Sequence, residues 1–302
     1  MDECGNCAGQ PNMGLTTCAS VIAKSVGKYY VPRFDNDGNL NKIPLTGITP
    51  GTLIDLDSYI SNPDPSKRWY PLQDILNVKI DKADPDYKTY DNKAKEKIQD
   101  GIYSGSFEKG FGVPAGLVGN IDRISCREWS EFNVTEDEAI FGEFIDGDLY
   151  PILLRAFDVK GKFADDASQA GAMITYDYDK KFQYGRLRQL TRANLNADPT
   201  TVTGLRNVNI EVVSCAAAVA VLKLTSDYGS NYNVQDIDGL IDSDFAILNK
   251  TTNLAVPVLT STEAPEVSYS LTYAAQTVTD VLEFTVVINA KKYTGVITGT
   301  VA

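Results

Sequence analysis

The chain has 302 residues, no histidine, and 40 acidic against 28 basic side chains, giving a net charge of −12. Without histidine there is no Ser-His-Asp or Cys-His triad and no HExxH zinc site, although carboxylate chemistry stays open. The surplus of acid leaves too few Lys and Arg to neutralise phosphates as a non-specific nucleic-acid binder must. It suits a surface past which nucleic acid slides without sticking.

Hydrophobic residues make up 43% of the chain, enough for a large core, and 16 Tyr supply strand-forming residues with a polar tip. The five cysteines (Cys4, Cys7, Cys18, Cys126 and Cys215) are odd in number and sparse, which argues against a disulfide framework. The start, MDECGNCAGQ, has neither the basic nor the apolar region of a secretion signal. The apolar run Val212–Leu224 is broken by Ser214 and Lys223 and is too short to span a bilayer. A protein made in a cytoplasm and not inserted in a membrane is expected.

Residues 1–24 read as an irregular arm. Cys4, Cys7 and Cys18 supply three thiols, whereas a structural zinc site takes four ligands; the fourth would have to be the distant Cys126 or Cys215. Lys28–Phe34 reads as a strand. Asp35–Asn39 follows as a hairpin turn, because Asp37-Gly38 supplies the positive φ of a tight turn. Its likeness to a calcium loop ends at Asn41-Lys42-Ile43, where further ligands are missing. Residues 46–86 carry Pro50, Pro63, Pro65, Pro71 and Pro85 and read as a long connection with a short helix in Thr52–Ile60 and an extended Arg68–Leu72. Such connections are uncommon unless they have a function, contact with a neighbouring subunit among them.

Tyr90, Ala94 and Ile98 recur every fourth residue, which predicts a short helix or a solvated turn over Lys88–Ile98. Ile102–Glu108 alternates as a half-buried strand. Pro114–Arg127 is the strongest helix, with Pro114 in the first turn and Leu117, Val118, Ile121 and Ile124 on one stripe. Strands follow at Glu128–Val134, Ala139–Ile145, Leu149–Val159 (a hairpin turning at Asp146-Gly147-Asp148), Ala172–Tyr178, Phe182–Leu190 and Asn207–Val213, with another apolar run at Ala216–Thr225. Beyond 226, short strands are predicted at Phe245–Leu248, Val256–Leu259, Val267–Tyr273, Val281–Ile288 and Tyr293–Val301, the pattern of a small immunoglobulin-type sandwich without its Cys–Trp–Cys core.

Glu136-Asp137-Glu138 and Asp165-Asp166 are the acidic groups most open to a catalytic or metal-binding reading. Neighbours on a strand point to opposite faces, so solvated loops are expected. The loop Gly110–Gly119 has neither a Walker lysine nor a GxGxxG spacing. Arg186, Arg188, Arg192 and Arg206, with Tyr184, form the nearest thing to a basic patch and are expected to pair with acidic neighbours.

The stretch Arg68-Trp69-Tyr70-Pro71-Leu72, together with Tyr90 and Lys97-Ile98-Gln99-Asp100-Gly101-Ile102-Tyr103-Ser104-Gly105-Ser106-Phe107, resembles structural proteins of phages and prophages of Bacteroidetes-type bacteria. The order of elements over 25–215 resembles that of a phage tail tube protein, and the carboxy-terminal strands resemble the immunoglobulin-like decoration some of these carry. The resemblance implies a mainly β fold: a tail-tube-like β-sandwich or barrel with one packed helix, plus a carboxy-terminal immunoglobulin-like β-sandwich. The expected domains are the arm 1–24, a tube domain 25–225 and a sandwich 226–302. The implied function is that of a virion tail subunit, made in the host bacterial cytoplasm. It would assemble with itself and other tail proteins into stacked rings, commonly hexameric, through which DNA passes without specific binding. Sheets would be completed between copies, and 46–86 would be the arm that orders on stacking. No catalytic residue, cofactor or metal is implied. A capsid decoration protein or tail-terminator ring, and a carbohydrate-binding or glycan-cleaving protein, remain the alternatives.

Overall fold

The computed structural model describes residues 23–47, 49, 51–91, 93–110, 118–119, 128–163, 171–226, 236–264, 268–289 and 291–302. The expectations for the arm 1–22, its three cysteines, Cys126, Asp165-Asp166 and the helix Pro114–Arg127 (apart from Val118 and Gly119, which have helical backbone) lie outside the described residues. The fold is mainly β, as expected. The chain divides into two compact units, Met1–Thr203 and Gly204–Ala302. The division falls earlier than the expected 225/226 boundary, because the strands at 206–226 pair with those that follow them.

In the first unit the elements are β1 (Ser25–Pro32), α1 (Leu56–Ile60), β2 (Tyr70–Leu72), β3 (Ile75–Lys82), β4 (Asp86–Thr89), β5 (Lys95–Gln99), β6 (Tyr103–Lys109), β7 (Trp129–Thr135), β8 (Ile140–Ile145), β9 (Asp148–Tyr150), β10 (Ile152–Lys162), β11 (Gly171–Tyr178) and β12 (Leu187–Leu190). β1 pairs along its length with β7; β7 meets β10, β10 meets β11, β11 meets β6, and β6 meets β3. The segment 70–82 returns to the start, since its first part, β2, pairs with β1. A kink at Asp74, with φ of 54°, separates β2 from β3. The result is a nearly closed, barrel-like sheet built from the strands of one chain.

β1 and β7 have no free face. Tyr30 turns into the barrel with Phe107, Ile152, Ile174, Tyr176 and Tyr178. Tyr29, Val31, Phe132 and Val134 turn outward into a second core. That second core is roofed by the stretch expected to be a free connection. Asp55 caps α1 by accepting from Asp57 N, and the helix buries Leu56 and Ile60, one turn apart on a single face. Trp69, 1% exposed, stacks on Tyr59 at 4.3 Å and leans on Phe132 at 4.9 Å. The 54–72 segment is therefore packed structure, and a later part of the expected connection, 75–82, is strand β3.

The expected turn at Asp35–Asn39 is present, with Gly38 at φ of 82° and Asp35 Oδ1 accepting from the backbone of Asp37 and Asn39. The hairpin at Asp146-Gly147 has φ of 50° and 92° at its two central residues, which the flanking right-handed strand twist favours. Phe182–Leu190 is not one strand: a 3-10 turn at Tyr184–Arg186 precedes β12.

In the second unit the strands are β13 (Arg206–Cys215), β14 (Val219–Ser226), β15 (Phe245–Asn249), β16 (Leu254–Val256), β17 (Val258–Ala264), β18 (Ser268–Tyr273), β19 (Val281–Val286) and β20 (Tyr293–Thr300). They run in the order β16-β15-β19-β20-β13-β14-β18-β17. Lettered A to G from β13, with β16 as C′, this is C′CFG joined to ABED, the two sheets of an immunoglobulin-type sandwich. The junction is a short parallel pairing of Arg206 with Tyr293 and Asn207 with Thr294. Alternate residues of both halves meet inside, with Phe245 against Tyr269 and Tyr273 against Phe284. Among the described residues no helix is long and apolar enough to cross a membrane.

Candidate functional site

Two features of the first unit stand apart from ordinary packing. One is a ribbon. Beyond Ala83 the β3–β6 hairpin continues as β4 and β5, pairing only with each other. Where the ribbon leaves the barrel, a Cβ on Gly101 would sit 1.6 Å from Ala83 O, so only glycine allows the two strands to approach there. The tip turns at Tyr90–Ala94, with Lys93 at φ of 65°. Every residue of β4 and β5 is exposed, including Tyr87 at 52% and Ile98 at 66%. The helix or turn expected over Lys88–Ile98 is thus a hairpin. The fourfold spacing of Tyr90, Ala94 and Ile98 had no core to face, while Lys88 opposite Glu96 across the ribbon supplies a cross-strand charge pair.

The other feature lies inside the barrel. Lys28, Glu131 and Asn133 are each fully buried. Lys28 on β1 is the direct partner of Asn133 on β7, and Glu131 lies two residues away on the same face. Lys28 Nζ donates to Glu131 Oε1 in a short ion pair, to Asn133 Oδ1 at 3.0 Å and to Tyr176 Oη at 2.9 Å. Glu131 Oε1 also accepts from Tyr178 Oη at 2.7 Å and from Asn133 Nδ2 at 3.3 Å. Lys28 Nζ sits over the rings of Tyr176 and Phe107, at 4.2 and 5.4 Å. Burial lowers the Lys28 pKa, with Glu131 opposing. Burial likewise pushes the Tyr30, Tyr176 and Tyr178 phenols well above their ordinary value, with the Glu131 charge adding to it. Glu131 Oε2 and Tyr30 Oη are buried without a hydrogen-bond partner.

On the outer face of the barrel, β3, β6, β10 and β11 frame an open depression of about 400 Å³ that includes Lys79, Asp81, Asp158 and Asp177. Ser104 Oγ donates to Asp177 there at 2.7 Å.

No protein-family model matches this sequence, and no curated protein matches it.

Among the described residues of the first unit, the acidic and basic groups picked out from sequence are not gathered into one site. In the β7–β8 turn Asp137 accepts from Thr135 Oγ1, while Glu138 lies 3.8 Å from Arg192. Arg188 donates to the backbone of Gly185 and Leu187, and Arg206 begins β13 in the second unit. Cys215 is a buried free thiol 3.7 Å from Tyr273 Oη. The Lys28–Glu131–Asn133 cluster escaped the sequence reading, since no spacing links residues a hundred positions apart. The available signal was a lysine in an otherwise apolar strand, beside a glutamate and an asparagine two apart in another.

Proposed function

We propose that the chain is a structural subunit that assembles with copies of itself, and that the assembly is the tail tube of a phage virion made in a bacterial cytoplasm. The observation that carries this reading is the β4–β5 ribbon. A two-stranded ribbon with no packed face is marginal in water. It also exposes strand edges of the kind that template pairing with another chain. Tyr87, Tyr90 and Ile98 give it apolar anchors suited to a protein surface. In this reading the ribbon, not the 46–86 segment, is the arm that orders on stacking, and its occupant is a second copy of the chain.

The nearly closed barrel changes how the copies would meet. Subunits would join by docking finished barrels through the ribbon and the remaining strand edges, not by sharing one barrel's hydrogen bonds. Heterologous contacts of this kind generate rings and filaments. The outer face bearing Asp81, Asp158 and Asp177 is the surface proposed to face passing DNA, since carboxylates repel phosphate. The test is sedimentation of the full chain beside a variant in which residues 84–100 are replaced by an Asn-Gly turn. Large species for the first and monomer for the second support the reading; monomer for both, at every concentration, contradicts it.

A further inference from the structure

We propose that the barrel closes itself covalently, by an amide bond between Lys28 Nζ and Asn133 Cγ, formed autocatalytically with Glu131 as the proton carrier. Each requirement of that reaction is met by a separate observation. The nucleophile and the carboxamide are held together by backbone register, since Lys28 and Asn133 are directly opposed on paired strands. Lys28 Nζ lies 3.0 Å from Asn133 Oδ1, so the carbonyl carbon is one bond further on. Glu131 Oε1 touches both the attacking nitrogen and the departing one, Asn133 Nδ2. A single carboxylate oxygen between the two nitrogens is where a proton shuttle has to stand. Beside the attacking Lys28 itself, Ser25 Oγ, 3.4 Å from Asn133 Oδ1, is a donor to the oxygen on which negative charge develops.

The surroundings favour the step. An amine attacks only when unprotonated, and burial among aromatic rings drives Lys28 toward that form. Moving one proton from the ammonium to Glu131 turns a buried ion pair, with one carboxylate oxygen unpartnered, into a neutral pair. The amine lone pair then adds to Asn133 Cγ, and the electron pair of the carbonyl moves onto Oδ1. Glu131 gives its proton to Nδ2 and takes the second proton from Nζ. When the carbonyl re-forms, the Cγ–Nδ2 bond breaks and ammonia leaves. Glu131, left protonated by that second transfer, passes the proton to the departing ammonia; the ammonium and carboxamide thus become a secondary amide plus ammonium ion, Glu131 ends as the carboxylate it began as, and no oxidant or reductant is needed. The fixed geometry supplies the effective concentration that an amine and an amide lack in free solution.

The bond would tie β1 to β7, the two strands buried on both faces, and close a loop of over a hundred residues. Such a clamp suits a protein that must not unravel under load, but the inference stands whether or not the chain forms a tube. The test is tryptic mapping of the denatured full-length protein by mass spectrometry. The expected result is one branched species joining Ser25–Arg33, uncut after Lys28, to Glu128–Arg155, lighter than the sum of the two by one ammonia. In Glu131→Gln the same peptides should appear unlinked and at full mass. Separate Ser25–Lys28 and Tyr29–Arg33 peptides from the wild type, with Glu128–Arg155 unmodified, would overturn the proposal, and that reading does not require any variant to fold. A branched species that persists in Glu131→Gln would overturn the role given to Glu131.

Discussion

Asp148 is a clear case of one side chain organising a loop. Its carboxylate accepts from Leu45 N at 2.9 Å and Thr46 N at 3.1 Å and meets Lys42 Nζ at 2.6 Å. The Lys42 hydrogen bond and those two backbone donors hold its pKa well below the usual carboxylate range. Its folded-state value lies below an unfolded one of about 3.9. The stability it adds is therefore complete above that pH and fades as the pH falls through the folded value. Asp148→Ala should cost about 1–3 kcal/mol at neutral pH. It should also flatten the acid limb of stability, which urea titrations at pH 7 and pH 3 would reveal. Gly105 is a second such residue. A Cβ there would sit 2.2 Å from the Tyr176 ring, so Gly105→Ala should overpack the barrel and cost about 1–3 kcal/mol, read as a lower midpoint in thermal unfolding. Neither role was legible beforehand, because each depends on a partner far along the chain.

At the scale of elements, alternation predicted well wherever one face met a core. β11 buries Ala172, Ile174, Tyr176 and Tyr178 in turn, as its sequence implies. The reading failed where burial was absent or where prolines broke the pattern. β4 and β5 bury nothing, so their pattern carried no signal, and proline density hid the packed stretch 54–72. Trp69 pins that stretch to the outer faces of β1 and β7. Trp69→Ala should cost about 3–5 kcal/mol and be seen in equilibrium denaturation. Paired Tyr87→Ser and Ile98→Ser changes, by contrast, should leave folding stability within about 0.5 kcal/mol, as exposed positions do. Their effect should appear in assembly, as loss of the large species in sedimentation.

For the whole molecule, the two-part, β-rich plan could be seen in the sequence, while the position of the division could not. The apolar run at 216–225 reads equally well as the last strand of one domain or an early strand of the next; its pairing with β13 and β18 decides for the second. Among the described residues, the strands of the unit 204–302 share one core and pair with one another. Expressed alone it should unfold in a single cooperative transition by circular dichroism. If barrels polymerise through the ribbon, electron microscopy of the concentrated, purified chain should show rings or tubes with a regular axial repeat that are lost when the ribbon is shortened; dispersed single particles at every concentration would mean that they do not.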